Sequence, residues 1–235
     1  MTYMLCTSCG YFVDASKGAC SHCGAKLKVV ETKPSDWKSM LKTAKAGSKV
    51  FFGNYQQGDG IKPIEWQVLK KEGSRLFLLC CYGMESRPYN VEQEDVTWEN
   101  CTLRTWLNKD FYEHAFNEEE QELVVQTLVK AEKNPNYNTD AGSDTLDKVF
   151  ILSSSEVHKY FHGHRAACSA TPYAQRHGAL EGKRGKCYWW LRTPGYYQYD
   201  SAYVDSEGNV HVFGDYVNYL DTVVRPAIWI DIKAL

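Results

Sequence analysis

The sequence predicts an α+β fold of antiparallel sheets with flanking helices, preceded by a separate small unit. Three observations predict it. Short apolar runs with turn residues between them, such as Lys49–Gly53, Ile64–Leu69 and Arg75–Tyr82, read as strands. Stretches at helical spacing, such as Leu103, Trp106, Leu107, Phe111 and Phe116, interrupt them. Cys6, Cys9, Cys20 and Cys23 crowd the start of a 235-residue chain, in a stretch too short to bury a core of its own. The composition agrees with a globular chain, at 43% hydrophobic and 24% charged residues. Lys+Arg number 27 and Asp+Glu 29, a net charge of -2, which disfavours nucleic acid as a partner. No apolar run reaches the roughly 20 residues that span a bilayer. The first residues lack the basic and apolar regions of a signal peptide, so a cytoplasmic or virion-associated protein is expected.

The small unit is expected over residues 1–30. It reads C-T-S-C-G and then C-S-H-C-G. Each C-x-x-C turn supplies two thiolates from one tight loop, and two such turns make the tetrahedral sulfur set that zinc prefers. Gly10 and Gly24 let the backbone turn so that amides point at the sulfurs. Structural Zn2+ held by Cys6, Cys9, Cys20 and Cys23 is therefore expected, and its binding supplies the folding free energy. With few basic residues inside it, the ribbon suits protein contact or a capping role. The other five of the 9 cysteines are scattered, and with no export signal they read as thiols.

A linking helix is expected over 31–48, with Trp37, Met40, Leu41 and Ala44 at helical spacing, Ser35 or Asp36 as N-cap and Gly47 as C-cap. The main domain then covers 49–235. Gly58-Asp59-Gly60 marks a turn between its first two strands. A helix follows the start signal Thr97-Trp98-Glu99-Asn100. A second helix, Glu118 to about Thr127, opens on Asn117 with three glutamates in its first turn. Residues 131–147 read as a loop, Lys148–Leu152 as a strand, and Ser153–Glu156 as the cap of a helix reaching Phe161. His158 and His162 would share a face of that helix beside His164. A surface helix end is the favoured reading over a metal site, because no fourth ligand is obvious.

The last third carries the functional reading. Tyr188–Gly195 and Val223–Ile230 are apolar and strand-like, and they bracket a segment of different character. Residues 196–221 hold Tyr196, Tyr197, Tyr199, Tyr203, Tyr216 and Tyr219, out of 16 tyrosines in the chain, and no Lys or Arg. Ala202, Val204, Val210 and Val212 alternate around a Ser206–Asn209 turn, so alternate residues belong to the core. The residues between are those of an antibody-like binding surface. Tyrosine gives wide amphipathic contact at low rotamer entropy, and Ser, Asn and Asp give adaptable hydrogen bonds. The expected ligand-binding set is Tyr196, Tyr197, Tyr199, Asp200, Ser201, Tyr203, Asp205, His211, Phe213, Asp215, Tyr216, Asn218, Tyr219 and Asp221. Arg192 and Arg225, in apolar company, are expected to make buried hydrogen bonds to carbonyls or acids.

The motifs Trp66-Gln67-Val68-Leu69, Leu103-Arg104-Thr105-Trp106-Leu107-Asn108, Lys148–Ser153, Trp189-Trp190-Leu191-Arg192-Thr193-Pro194-Gly195 and Val224-Arg225-Pro226-Ala227 resemble a widespread bacterial and phage domain family. The resemblance covers nearly everything after Lys49. It implies a C-type lectin-like fold of the branch that includes formylglycine-generating enzymes. Some members are variable proteins of diversity-generating retroelements. For those, the resemblance implies a variable region, about 189–230 here, rewritten by adenine-directed mutagenesis of asparagine-type codons. Such codons reach Tyr, Asp, Ser, His, Phe and Gly. Gln198 and Glu207 are hard to reach and should be fixed. Val223 stands where the family has glycine.

The expected function is thus non-catalytic binding of a protein or other macromolecular ligand through a diversified Tyr-rich surface. One alternative is an oxidase like the formylglycine-generating enzymes, which use a copper-binding cysteine pair; Cys168 and Cys187 could be brought together, but neither sits in that family's active-site context. A glycan-binding lectin is another, although no E-P-N or Q-P-D triplet for calcium is visible. A third is a ribbon adaptor with a merely structural main domain.

Overall fold

Trp66, Trp189 and Trp190 are fully buried and organise the core. Each indole N–H is satisfied by a carbonyl, Phe52 at 2.6 Å, Ala166 at 3.1 Å and Arg87 at 3.0 Å respectively, as a buried indole requires. The computed structural model describes residues 3–6, 9, 11–14, 18–25 and 33–235. Gly10, Glu31 and the expected boundary after residue 30 lie outside the described residues.

The chain starts with an antiparallel hairpin of β1 (Tyr3–Leu5) and β2 (Phe12–Asp14). Its buried Val13, Cys6 and Cys20 pack on Ile61 of the main domain. Helix α1 (Trp37–Thr43) follows, entered at Asp36 as expected. It ends at Ala44 rather than Gly47. Gly47, at φ +87°, makes the next turn instead, donating its N–H to Val68 O at 2.8 Å. Half-buried Trp37 packs on Phe52 as an anchor.

The strands β3 (Lys49–Gln56), β4 (Ile61–Glu72) and β5 (Arg75–Cys80) form an antiparallel meander. The short β6 (Tyr82–Gly83) and β7 (Glu85–Ser86) come next. The first long helical stretch is α2 (Thr102–Trp106), a π turn over Leu107–Phe111, and α3 (Tyr112–Ala115). It follows the Thr97–Asn100 start signal as expected, and the Cys101 thiol caps it by accepting the Arg104 N–H. The π turn coincides with Asn108, whose amide accepts from Lys148 N and donates to Val149 O, tying helix to strand. Helix α4 (Glu118–Leu123) carries the expected Asn117 cap, with Glu120 closing a reciprocal capping box. It stops short of Thr127 because Val125 N bonds Trp229 O at 2.8 Å.

The polar loop also ends earlier than expected. β8 (Thr127–Val129) pairs with β9 (Thr145–Asp147), where Asp147 is buried and accepts the Trp98 indole N–H at 2.9 Å. Then come β10 (Val149–Phe150) and α5 (Ser154–Tyr160), the latter with a Ser153–Glu156 capping box. Next are β11 (Ser169–Ala170), α6 (Pro172–Arg176), β12 (Trp189–Pro194), β13 (Asp200–Val204), β14 (Val210–Tyr216), β15 (Val223–Val224) and β16 (Ala227–Asp231).

Two five-stranded sheets result. One runs β10-β16-β5-β4-β3 and is antiparallel throughout. The other runs β14-β13-β12-β15-β7, antiparallel except where β12 and β15 run parallel. The fold is therefore α+β, with mostly antiparallel sheets and short helices. Arg225 and Pro226 carry the chain from the second sheet into the first. Arg225 is buried there, donating to Cys80 O at 2.8 Å and Ala166 O at 3.1 Å.

Candidate functional site

The β13–β14 hairpin and the loops at its open end build the candidate face. The turn after Gly195 is fixed by backbone. Gly195 N donates to Asp200 O at 2.8 Å, Tyr196 N to Phe213 O at 2.6 Å, and Asp200 N to Tyr197 O at 3.0 Å. A Cβ on Gly195 would meet Phe213 O at 2.8 Å, and one on Gly214, at φ +86°, would meet Gly195 Cα at 2.8 Å. Only glycine fits this crossing. The crossing throws the neighbouring side chains outward.

Those side chains are aromatic and exposed. Tyr196 is 42% accessible, Tyr197 47%, Phe213 55%, Tyr216 40% and Tyr219 39%. Tyr199 and Tyr203 are half-buried. The rings touch in a row. Phe213 stacks on Tyr196 at 5.1 Å, Tyr196 meets Tyr197 at 4.6 Å, Tyr197 stacks on Tyr199 at 5.1 Å, Tyr199 lies 6.0 Å from Tyr216, and Tyr216 meets Tyr219 at 5.4 Å. Tyr137 joins edge-on to Tyr196 at 4.8 Å. The sequence reading missed Tyr137, which lies far away in the polar loop; a tyrosine in an Asn-rich stretch without Lys or Arg was its one signal.

Other expected residues lie elsewhere. Asp200 and Ser201 are buried, because they face the crossing rather than solvent. Ser201 OH donates to Leu191 O at 2.8 Å, and Asp200 accepts Tyr197 N–H, so both belong to the frame. Asp205 shapes the β13–β14 turn, accepting Glu207 N at 2.8 Å and Asn209 N at 2.9 Å. His211 bonds Asp205 at 2.8 Å and stacks on Tyr203 at 4.8 Å, away from the main row. Asp215 and Asp221 are half-buried at its edge, and half-buried Asn218 has a buried, unpartnered Oδ1. Ala202 and Val204 are buried as expected, but Val210 and Val212 are only half-buried, since β14 is an edge strand.

Gln198 locks the face to its surroundings. Its amide donates to Val96 O and Asp140 O and accepts Asp140 N–H at 2.9 Å. Asp95 and Asp140 thereby border the row. Burial, neighbouring Tyr197 and the Asp200 and Asp95 carboxylates push the Tyr199 phenol above its usual range. Burial, then Asp215, Tyr216 and Asp221, do the same to Tyr219.

A second site lies in the N-terminal hairpin. Cys6, Cys9, Cys20 and Cys23 hold their sulfurs within 4.8 Å of one another, with two pairs at 3.6 Å. Sulfurs at tetrahedral corners about 2.3 Å from a zinc ion would be about 3.8 Å apart, so the set fits such an ion. The Cys23 and His22 amides both donate to Cys20 Sγ at 3.4 Å, and they lower that thiol to about 6. Four clustered cysteines could thus hold a metal ion. Among the described residues no other group of this kind forms. The three histidines do not combine, because α5 ends at Tyr160, before His162.

Cys168 and Cys187 do meet, with sulfurs 3.5 Å apart. Both are buried. The hydrogen bond from Cys187 brings Cys168 down to about 7, and the same contact pushes Cys187 up.

Among the described residues no helix is long and apolar enough to cross a membrane. No curated protein and no solved structure matches the chain. The sequence profile of one family, a domain of unknown function designated DUF6273, matches residues 73–232. That span takes in β5 through β16 and the whole aromatic face, more than half of the chain, which therefore belongs to the DUF6273 family.

Proposed function

We propose that this DUF6273 domain is a non-catalytic, receptor-type binding domain, which holds a protein or other macromolecular ligand on its tyrosine row. The observation that carries this is the division of labour between rings and frame. The row is accessible while Trp189, Trp190, Leu191, Val223, Val224, Ala227 and Ile228, in the strands that flank its segment in the chain, are buried. Rigid aromatic anchors bind without much ordering cost. A surface that contributes little to folding also tolerates substitution. That property suits a variable protein of a diversity-generating retroelement on a C-type lectin-like frame. Zinc is the metal proposed for the four-cysteine hairpin, on the chemistry of its donor set. A cytoplasmic or virion-associated setting is proposed with it.

The test is deep sequencing of residues 189–230 across cells of one culture. Variation is expected at the codons of Tyr196, Tyr197, Tyr199, Phe213, Tyr216 and Tyr219. Gln198, Gly195 and Gly214 should stay constant. Uniform sequence at the exposed positions, or variation spread equally over the buried ones, overturns the retroelement reading.

A further inference from the structure

Charge is strongly segregated around the tyrosine row. Three chain segments surround it: 88–103, 134–147 and 196–221. They are knit together at Gln198 by its bonds to Val96 and Asp140, by Asn90 N to Val217 O, and by Thr139 OH to Gly195 O. Together they hold twelve of the 29 carboxylates and none of the 27 Lys and Arg side chains. Asp144 and Asp147 are matched from outside by Lys130 and Arg104, and Glu207 by Lys183. No Lys or Arg pairs with Glu92, Glu94, Asp95, Glu99, Asp140 or Asp221 among the described residues. Every Lys or Arg found over a ring in those residues is elsewhere, on rings such as Trp37, Trp106 and Trp189.

An electronegative ring face beside unmatched carboxylates attracts cations twice, through the π quadrupole and through net charge. The Tyr199 and Tyr219 phenols are raised first by burial and then by neighbouring phenols and carboxylates, Asp200 and Asp95 for Tyr199 and Asp215 and Asp221 for Tyr219. Shape then selects the kind of cation. The rings run in succession rather than around a hollow, with centroid steps of 4.6, 5.1, 6.0 and 5.4 Å from Tyr196 to Tyr219. A single ammonium needs a cage, whereas a row fits an extended chain presenting several charges. Nucleic acid would be repelled by the same carboxylates.

We propose that the face takes a basic polypeptide segment, with Lys or Arg side chains laid over the tyrosine row and their charges turned toward the bordering carboxylates. The proposal rests on the reading of this face as the binding surface and adds the chemistry of its partner.

The test is panning of a phage-displayed random dodecapeptide library on the immobilised full chain. Panning on Tyr197→Leu/Tyr216→Leu runs in parallel. Both substituted side chains are exposed, so that variant should keep its melting temperature and its charge while losing two π faces. Recovered peptides are expected to be enriched in Lys and Arg and to bind the double variant at least about fivefold more weakly. They should also weaken several-fold between about 50 mM and 300 mM salt, and on Asp95→Asn. Peptides that need the tyrosines but carry no basic excess overturn the charge claim and leave the binding surface standing. Basic peptides held equally by the double variant overturn the proposal as ordinary counter-ion attraction. If no recovered peptide depends on the tyrosines, both the proposal and the reading beneath it fall.

Discussion

Arg225 and Tyr216 mark the two extremes of what one side chain does here. Arg225 is 3% exposed and spends its donors on Cys80 O and Ala166 O while lying 4.9 Å over the Trp189 ring. Lysine cannot reproduce that planar fork and would leave a buried carbonyl without a donor. Arg225→Lys should cost about 2–4 kcal/mol in urea unfolding. Tyr216→Ala, which loses only ring contacts at the surface, should cost less than about 1 kcal/mol. Asp200 gives a pH test. Its Oδ1 is buried without a partner, and burial pushes its pKa above the usual carboxylate range, partly offset by the Tyr197 amide and reinforced by Asp215. A carboxyl with a raised folded value keeps a proton that the unfolded chain has released. Stability therefore falls as pH climbs from the unfolded value through the folded one. Asp200→Asn should be more stable than wild type at neutral pH, with the gap closing below about pH 4, read from urea midpoints at each pH.

At the level of elements, the hairpin and the sheets depend on different forces. Among its described residues the hairpin buries Val13, Cys6 and Cys20 against Ile61, a small core that the proposed metal would reinforce. Cys9→Ser, or a chelator, should remove one equivalent of metal and the amide-exchange protection of β1 and β2. The main domain should lose at most about 2–4 °C in Tm, the contribution of one partly uncovered isoleucine. The elements that were legible in the sequence have local causes. Asn117 and Ser153 each carry a glutamate three residues on, and both close capping boxes. The β13–β14 hairpin follows its turn residues and alternating valines. What escaped the sequence depends on distant partners. The early stop of α4 comes from Trp229 O, and β9 forms because β8 offers it an edge. Asp200 and Ser201 look like display residues in a Tyr-Asp-Ser run, yet a bulge in the pairing of β12 and β13 turns them inward. Tyr137 reaches the row because Asn134, bonded to Pro194 O and Val212 O, and Thr139, bonded to Gly195 O, anchor its loop on either side of it.

For the whole molecule, the consecutive strands β15 and β16 link the two sheets, and one buried cluster takes side chains from both. A chain of residues 33–235 retains α1, Lys33 paired with Glu120, and both sheets. It should unfold in a single calorimetric transition whose van't Hoff and calorimetric enthalpies agree. Two separate transitions would show that the sheets are independent. If the tyrosine row is the binding surface, that shortened chain should also keep every ligand contact of the full one.

The final strands have a consequence for protein synthesis. β15 joins β12 to β7, and β16 joins β5 to β10, so neither sheet is complete until its β15 or β16 strand has left the ribosome. A frameshift or stop codon anywhere between Tyr196 and Thr222 leaves both sheets open in the nascent chain. Such a product exposes the indoles of Trp189 and Trp190 to chaperones and proteases, so errors in this segment remove the protein rather than release a half-working one.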